Sequence, residues 1–236
     1  MCFSATASFT AGTALTVVGG LTLRKSKGMR ELPLALVPLL FGIQQLVEGV
    51  LWLSLRNDLP LMRSWATYIF TLFSHVLWPM FVPFAILLVE TDRRRRNAIR
   101  MFLTLGIGVG VYLLYFVIRY PVIARIDGRS IFYDTPHLFK VVALTTYLLA
   151  TCVTGLFSRH RCIQAFGFLI FVLAVAAYWI SVTTFVSVWC FFAAILSVLI
   201  YAHFSGPMQA CRSALDSLHK GHRASRRPVL TPAGTR

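Results

Sequence analysis

The chain has 236 residues, of which 57% are hydrophobic and only 13% are charged, and its net charge is +15. A chain this apolar is not an ordinary soluble domain, and its long apolar runs are typical of membrane spans. The basic residues lie in short gaps between these runs and in the C-terminal segment, which indicates membrane loops and argues against a nucleic-acid partner. The five cysteines have no paired spacing, so we expect no disulfide framework.

Seven apolar runs predict an all-α, polytopic membrane protein with a bundle of seven transmembrane helices. No charged residue separates the sixth and seventh runs, and as one helix they would be roughly 60 Å long, about twice a hydrocarbon core of ~30 Å. We therefore expect a tight turn at Ser181–Thr184. In chain order the runs cover Ser4–Leu23, Leu32–Leu55, Trp65–Val89, Ile99–Ile118, His137–Phe157, Ile163–Ile180 and Thr184–Phe204.

The charges of the loops predict the orientation of the bundle. The first, third and fifth loops and the C-terminal segment are rich in arginine and lysine, most densely at Arg93–Arg96, whereas the other loops have few charges or balance them with acids. Because basic loops stay in the cytoplasm, we expect the N-terminus outside and the C-terminus inside. Residues 1–204 then form the transmembrane domain, and residues 205–236 form a basic cytoplasmic tail that we expect to be mostly disordered.

Small residues at intervals of four predict close contacts between helices, because they allow two backbones to approach each other. The pattern occurs in the first and fourth runs, at Ser8, Gly12, Thr16 and Gly20 and at Gly106 and Gly110. These residues are therefore interpreted as packing residues.

Three segments carry a resemblance to a known family: MCFSATASF at the start, PLLFGIQQLVEGVLW at Pro38–Trp52 and SVWCFFAAILS at Ser187–Ser197. Through these segments, and above all the pattern QQxxEGxxW, the chain resembles a family of uncharacterised bacterial multi-pass membrane proteins. The resemblance implies a multi-pass protein of the bacterial inner membrane. It supplies no reaction and no cofactor.

Polar side chains inside the apolar runs are the candidate functional residues, because they are costly in a membrane and usually face the protein interior. Glu48 is predicted ~10 Å below the outer end of the second helix, where a carboxylate needs a proton or a partner such as Lys140 or His75. Pro79 and Pro83 are expected to kink the third helix and free carbonyl groups that line a cavity. We predict a polar pocket in the outer half of the membrane, with these candidate members: Cys2, Gln44, Gln45, Glu48, Trp52, His75, Tyr112, Lys140, Tyr147, Trp189 and Cys190.

Several of these residues also have a purely structural interpretation. Gln44 and Gln45 can bond neighbouring helices, and Trp52 can lie at the membrane interface. Cys190 can be a small buried apolar residue. His75 is explained about as well by a neutral core histidine bonded to a backbone carbonyl as by a ligand or a base.

Three classes of function fit the pattern. The first, which we favour, is the binding, sensing or transport of a small molecule, lipid or ion. The second is a membrane-embedded enzyme, such as a metal-dependent hydrolase, in which Glu48 and His75, with Cys2 or Cys190, hold a metal or act as base and nucleophile. No recognised metal motif supports that class, and the several histidines of the architecturally similar ceramidase-type hydrolases are not available here. The third class is an accessory structural subunit.

The position of Cys2 directly after Met1 gives it a chemistry that the other candidate residues lack. If Met1 is removed, the α-amino group and the thiol of Cys2 stand on one residue and can chelate a soft metal or act as base and nucleophile. We expect Cys2 to cover the mouth of the pocket as a lid or a ligand. The alternative is an incidental cysteine at the start of a packing helix.

Overall fold

The computed structural model describes residues 4–136, 138–180 and 184–205, and within them the chain forms seven helices and one β-hairpin. Six of these helices, all except α5, are long and apolar enough to span a membrane. In chain order the elements are α1 (Ala5–Lys25), α2 (Leu32–Arg56), α3 (Pro60–Val89), α4 (Arg93–Arg119), β1 (Ile123–Asp127), β2 (Ser130–Asp134), α5 (Lys140–Leu156), α6 (Arg161–Ile180) and α7 (Phe185–Phe204).

Several sequence predictions fall outside the described residues. The expected turn lies between the end of α6 at Ile180 and the start of α7 at Phe185, and only Thr184 of it is described. Cys2, His137 and the basic segment after Ser205 also lie outside.

The sequence next to two of the helices explains where they begin. The Ser4 hydroxyl accepts a hydrogen bond from the Ala7 backbone N–H at 3.2 Å and caps α1. The Asp92 carboxylate accepts from the Arg95 backbone N–H at 3.0 Å and caps α4. That bond stabilises the charged form, so the pKa of the Asp92 carboxyl is below its usual value.

The fifth helix is shorter than its predicted run, His137–Phe157. It has 17 residues, from Lys140 to Leu156, which is about 25 Å at ~1.5 Å per residue. Phe139, immediately before it, has a φ of 53°, in the left-handed region through which a right-handed helix cannot continue.

The first two helices pack closely through glycines, but not all of the predicted ones. A Cβ atom on Gly12 would lie 2.9 Å from the Leu46 backbone nitrogen, whereas a Cβ atom on Gly20 would meet nothing within 4 Å. Gly19 takes its place, with the Leu39 Cα atom 2.6 Å from where its Cβ would be. The reason is helical geometry: at ~3.6 residues per turn, each step of four drifts by about 40°.

The β-hairpin is an element that the sequence analysis missed. Its strands are antiparallel, with Asp127 opposite Ser130, and the two-residue turn contains Gly128, whose φ of 59° suits glycine. Tyr133 stacks on Phe70 of α3 at a centroid distance of 4.6 Å, so the hairpin packs onto one end of the bundle. We call this the hairpin end, and the opposite end, where α4 begins at Arg93, the arginine end.

Candidate functional site

Glu48 of α2 is a buried carboxylate that links two helices. Its side chain is wholly buried. Oε1 accepts a hydrogen bond from the Ser187 hydroxyl of α7 at 2.7 Å, and Oε2 accepts from the Gln45 amide at 3.3 Å. We refer to Gln44, Gln45, Glu48 and Ser187, all 0% exposed, as the Glu48 cluster.

Two amide atoms of this cluster have no hydrogen-bond partner among the described residues. Gln44 Oε1 accepts from the indole N–H of Trp78 in α3 at 2.6 Å, but Gln44 Nε2 has no acceptor in hydrogen-bonding geometry and has only the Cys190 thiol of α7 as a polar neighbour. Gln45 Oε1 likewise has no donor, although its Nε2 bonds Glu48. Most buried polar atoms in proteins are paired, and leaving one unpaired costs about 1–3 kcal/mol. The Glu48 cluster can therefore offer one donor and one acceptor to a bound molecule.

The third helix contains a π-helical segment, Leu72–Leu77, which places Ser74 and His75 beside the cluster's helices. Its backbone hydrogen bonds join residues five positions apart: the Trp78 N–H, for example, donates to the Phe73 carbonyl. The next donor in this register would be Pro79, which has no N–H. The Ser74 carbonyl instead accepts from the Tyr147 hydroxyl of α5 at 2.5 Å. The phenol thus replaces the donor that proline removes.

A cavity of about 90 Å³ lies between α3, α4, α5 and α7. Most of its wall is apolar, and Ser74, His75, Tyr147 and Cys190 contribute its polar groups. The volume is several times the space that one ordered water needs, about 10–15 Å³ on the same measure. A smaller cavity of about 20 Å³ shares Tyr147, Trp189 and Cys190 with it and reaches Trp78. Cys190 stands one helical turn from Ser187 on α7, so the cavities lie next to the Glu48 cluster, although no residue of the cluster lines either of them.

His75 lies at the edge of this cavity and is 7% exposed. Its Nδ1 shares a hydrogen bond with the Ser74 hydroxyl at 2.8 Å. Trp189 lies edge-on to Tyr147, with ring centroids 5.4 Å apart, and donates its indole N–H to the Ile170 carbonyl at 3.3 Å. Each of these side chains is held by a neighbour, which gives the cavity a defined wall.

Three of the predicted site residues lie away from both the cavity and the Glu48 cluster. Trp52 is buried at the hairpin end under the Arg56 guanidinium, 5.5 Å from its ring. Tyr112 donates its hydroxyl to the Leu138 carbonyl. Lys140 is exposed at the first residue of α5, and within the described part of the chain it makes no ion pair with Glu48. Of the two candidate partners of Glu48, Lys140 and His75, Lys140 is therefore not an ion-pair partner in the described structure.

The described residues contain no group of three or more His, Cys, Asp and Glu side chains that could hold a metal ion. The set proposed from the sequence, Glu48, His75 and Cys2, includes one residue outside the described ranges.

Ser74 is a site residue that the sequence analysis did not identify. Its carbonyl and hydroxyl contact Tyr147 and His75. The available signal was its position five residues before Pro79, where the proline removes a π-helical donor.

Comparison with known proteins places the chain within one family. Residues 1–214 match a family described as "Family of unknown function (DUF6629)". No curated protein and no solved structure matches the chain.

Proposed function

We propose a function for this chain, which belongs to the DUF6629 family of unknown function, from the chemistry of the Glu48 cluster. In this proposal the protein spans a bacterial inner membrane seven times and binds a small polar molecule or ion between its helices. The hairpin end faces the outside and the arginine end faces the cytoplasm, as the loop charges predict. Glu48 then lies ~10 Å below the outer end of α2.

The observation that carries the proposal is the pair of unpartnered atoms Gln44 Nε2 and Gln45 Oε1. They belong to neighbouring, fully buried residues of one helix, next to a buried carboxylate. In a membrane, water cannot freely supply the missing bonds, so such atoms are costly unless something binds them. The described fold thus contains both a donor and an acceptor beside an acid.

The same atoms define the class of ligand. A molecule that bonds both amides must itself present one acceptor and one donor. Glu48 accepts hydrogen bonds from Ser187 and Gln45. An ionised carboxylate can only accept and has further lone pairs, so it favours a ligand that is cationic or rich in hydrogen-bond donors. The cluster residues are wholly buried and line neither cavity, which limits a ligand at the two amides to a few non-hydrogen atoms. We therefore propose a small polar ligand, or the polar head of a larger one.

A second candidate is a structural role, in which the polar residues only join helices. The bond from Ser187 to Glu48 joins α7 to α2, and the bond from Trp78 to Gln44 joins α3 to α2. Polar side chains commonly bond across membrane helices in this way. In that case the protein would be an accessory subunit, and no small molecule would accompany it.

Mass spectrometry of small molecules released from the purified protein distinguishes the two candidates. Wild type, Glu48→Gln and Glu90→Gln should be compared, because Glu90 is an equally buried acid at the arginine end, bonded to three backbone N–H groups. We expect a molecule that accompanies wild type and Glu90→Gln and is reduced at least tenfold in Glu48→Gln. The same set of molecules in all three proteins would favour the structural role.

A further inference from the structure

An apolar groove runs along the outside of the bundle between α2, α3 and α4. Its volume is about 620 Å³, far larger than the inner cavity, and every residue that lines it is apolar. Its walls include Leu40, Phe73, Met80, Phe84, Leu103 and Ile107. The groove shares no lining residue with the cavity beside the Glu48 cluster, so it is a separate feature.

The length of the groove matches one leaflet of a bilayer. Its lining on α3 runs from Leu72 to Phe84, which is twelve residue steps, or ~18 Å at ~1.5 Å per residue. Half of a hydrocarbon core of ~30 Å is about 15 Å. One acyl chain of a phospholipid in the leaflet at the arginine end can therefore lie along it.

At the arginine end of the groove, the guanidinium of Arg100 lies where the phosphate of a lipid headgroup would be. Arg100 precedes Leu103 and Ile107 by three and seven residues, so all three lie on one face of α4. The Arg100 side chain is exposed, and its Nη1 donates to the Asn97 amide oxygen at 3.0 Å. A guanidinium has five N–H donors, and among the described residues the others have no recorded partner.

The neighbouring arginines and acids do not compete for this place. Arg95 donates to the Phe157 and Ser158 carbonyls, and Arg96 donates to the Glu90 carbonyl. The acids at this end are also engaged, since Glu90 and Asp92 accept from backbone N–H groups. Arg93 and Arg94 are also exposed, but they begin α4 about two turns before Arg100, so Arg100 is the arginine of α4 nearest to the groove lining at Leu103 and Ile107.

We infer that this groove binds an anionic phospholipid, with one acyl chain along α3 and α4 and the phosphate on Arg100. Neutral lipids can supply the same chain, so the charge of the headgroup decides the selectivity. This assigns to the arginine-rich α3–α4 region a role beyond fixing the orientation of the bundle.

Native mass spectrometry of the full-length protein in detergent tests the headgroup site. The probes are phosphatidylglycerol and phosphatidylcholine with identical acyl chains. We expect wild type to bind the first phosphatidylglycerol about fivefold more tightly than phosphatidylcholine, the effect of one arginine near a membrane surface. Arg100→Gln should lose this preference. Arg24→Gln, which removes an equally exposed arginine at the end of α1, should keep it.

The chain site is tested by filling the groove. Ile107→Trp should reduce the binding of both lipids, whereas Leu105→Trp, on the same helix but outside the groove lining, should not. Equal affinity of wild type for the two lipids, or an equal loss of preference in Arg24→Gln, would overturn the inference. A lipid-independent dimer that Ile107→Trp dissociates would also overturn it, since a second copy would then occupy the groove. If a variant fails to fold, the affinities of the wild-type protein for the two lipids still test the inference.

Discussion

The Ser187 hydroxyl donates a 2.7 Å hydrogen bond to the Glu48 carboxylate, and this bond joins α7 to α2 through two residues that are 139 positions apart in the chain. Both side chains are wholly buried. The bond fixes α7 against α2 at the level of the cluster and leaves the Gln45 amide as the second donor to the same carboxylate. Four predictions test this contact, the packing of the other helices and the orientation of the bundle.

The first prediction concerns the donor itself. Ser187→Ala should lower the free energy of unfolding by about 1–2 kcal/mol, because Glu48 loses a charge-assisted hydrogen bond inside the bundle. Ser54→Ala is the matched control, since the Ser54 hydroxyl is equally buried but bonds only the Leu51 carbonyl of its own helix. Unfolding of both variants in mixed detergent measures the difference. Equal losses would mean that the contact with Glu48 has no energetic weight.

The second prediction concerns Tyr147 and Pro79. Tyr147→Phe should destabilise the protein by about 1–3 kcal/mol, because the Ser74 carbonyl loses its donor. In a Pro79→Ala background the new backbone N–H can serve the carbonyls that the proline left open, so the same change should cost less. A double-mutant cycle of melting experiments gives this coupling. Additive effects would show that the phenol does not replace the missing donor.

The third prediction compares two glycines of α4. A Cβ atom at Gly106 would lie 1.9 Å from the Pro79 carbonyl oxygen, whereas a Cβ atom at Gly108 would meet nothing within 4 Å. Gly106→Ala should therefore cost about 1–3 kcal/mol through overpacking. Gly108→Ala should stabilise α4 by about 0.5–1 kcal/mol, because alanine favours the helix. Thermal melting measures both changes. Equal shifts of the melting temperature in the two variants would contradict the close approach of α3 and α4.

The fourth prediction concerns orientation. A reporter enzyme that is active only outside the cytoplasm should work when inserted at Gly128 in the hairpin turn and fail when fused after Ser205. A second reporter, active only in the cytoplasm, should give the opposite pattern. Activity of the first reporter after Ser205 would show that the predicted orientation is wrong, and with it the depth assigned to Glu48.

The helices were predictable because apolar runs longer than a hydrocarbon core leave few alternatives. The buried position of Glu48 was predictable for a related reason, since polar residues of such a run turn away from lipid. The misplaced glycine contact has a different origin. A strict spacing of four drifts around a helix of ~3.6 residues per turn, so Gly20 leaves the face on which Ser8 and Gly12 lie.

The hairpin could have been found from the sequence. Gly128-Arg129 stands between two short segments that contain isoleucine and aromatic residues, and a glycine at the first of two turn positions is a local signal for a two-residue hairpin turn. The bond between Ser187 and Glu48 and the exposed position of Lys140 depend on how distant helices rotate against one another, which no local pattern specifies.

The central claim is that a small polar molecule occupies the site beside Glu48. A density map of the full-length protein, purified with its native lipids and resolved well enough to show ordered water, tests it most directly. We expect non-protein density within hydrogen-bonding distance of both Gln44 Nε2 and Gln45 Oε1. Two amides bonded to neighbouring protein groups, with no additional density between α2 and the cavity, would contradict it.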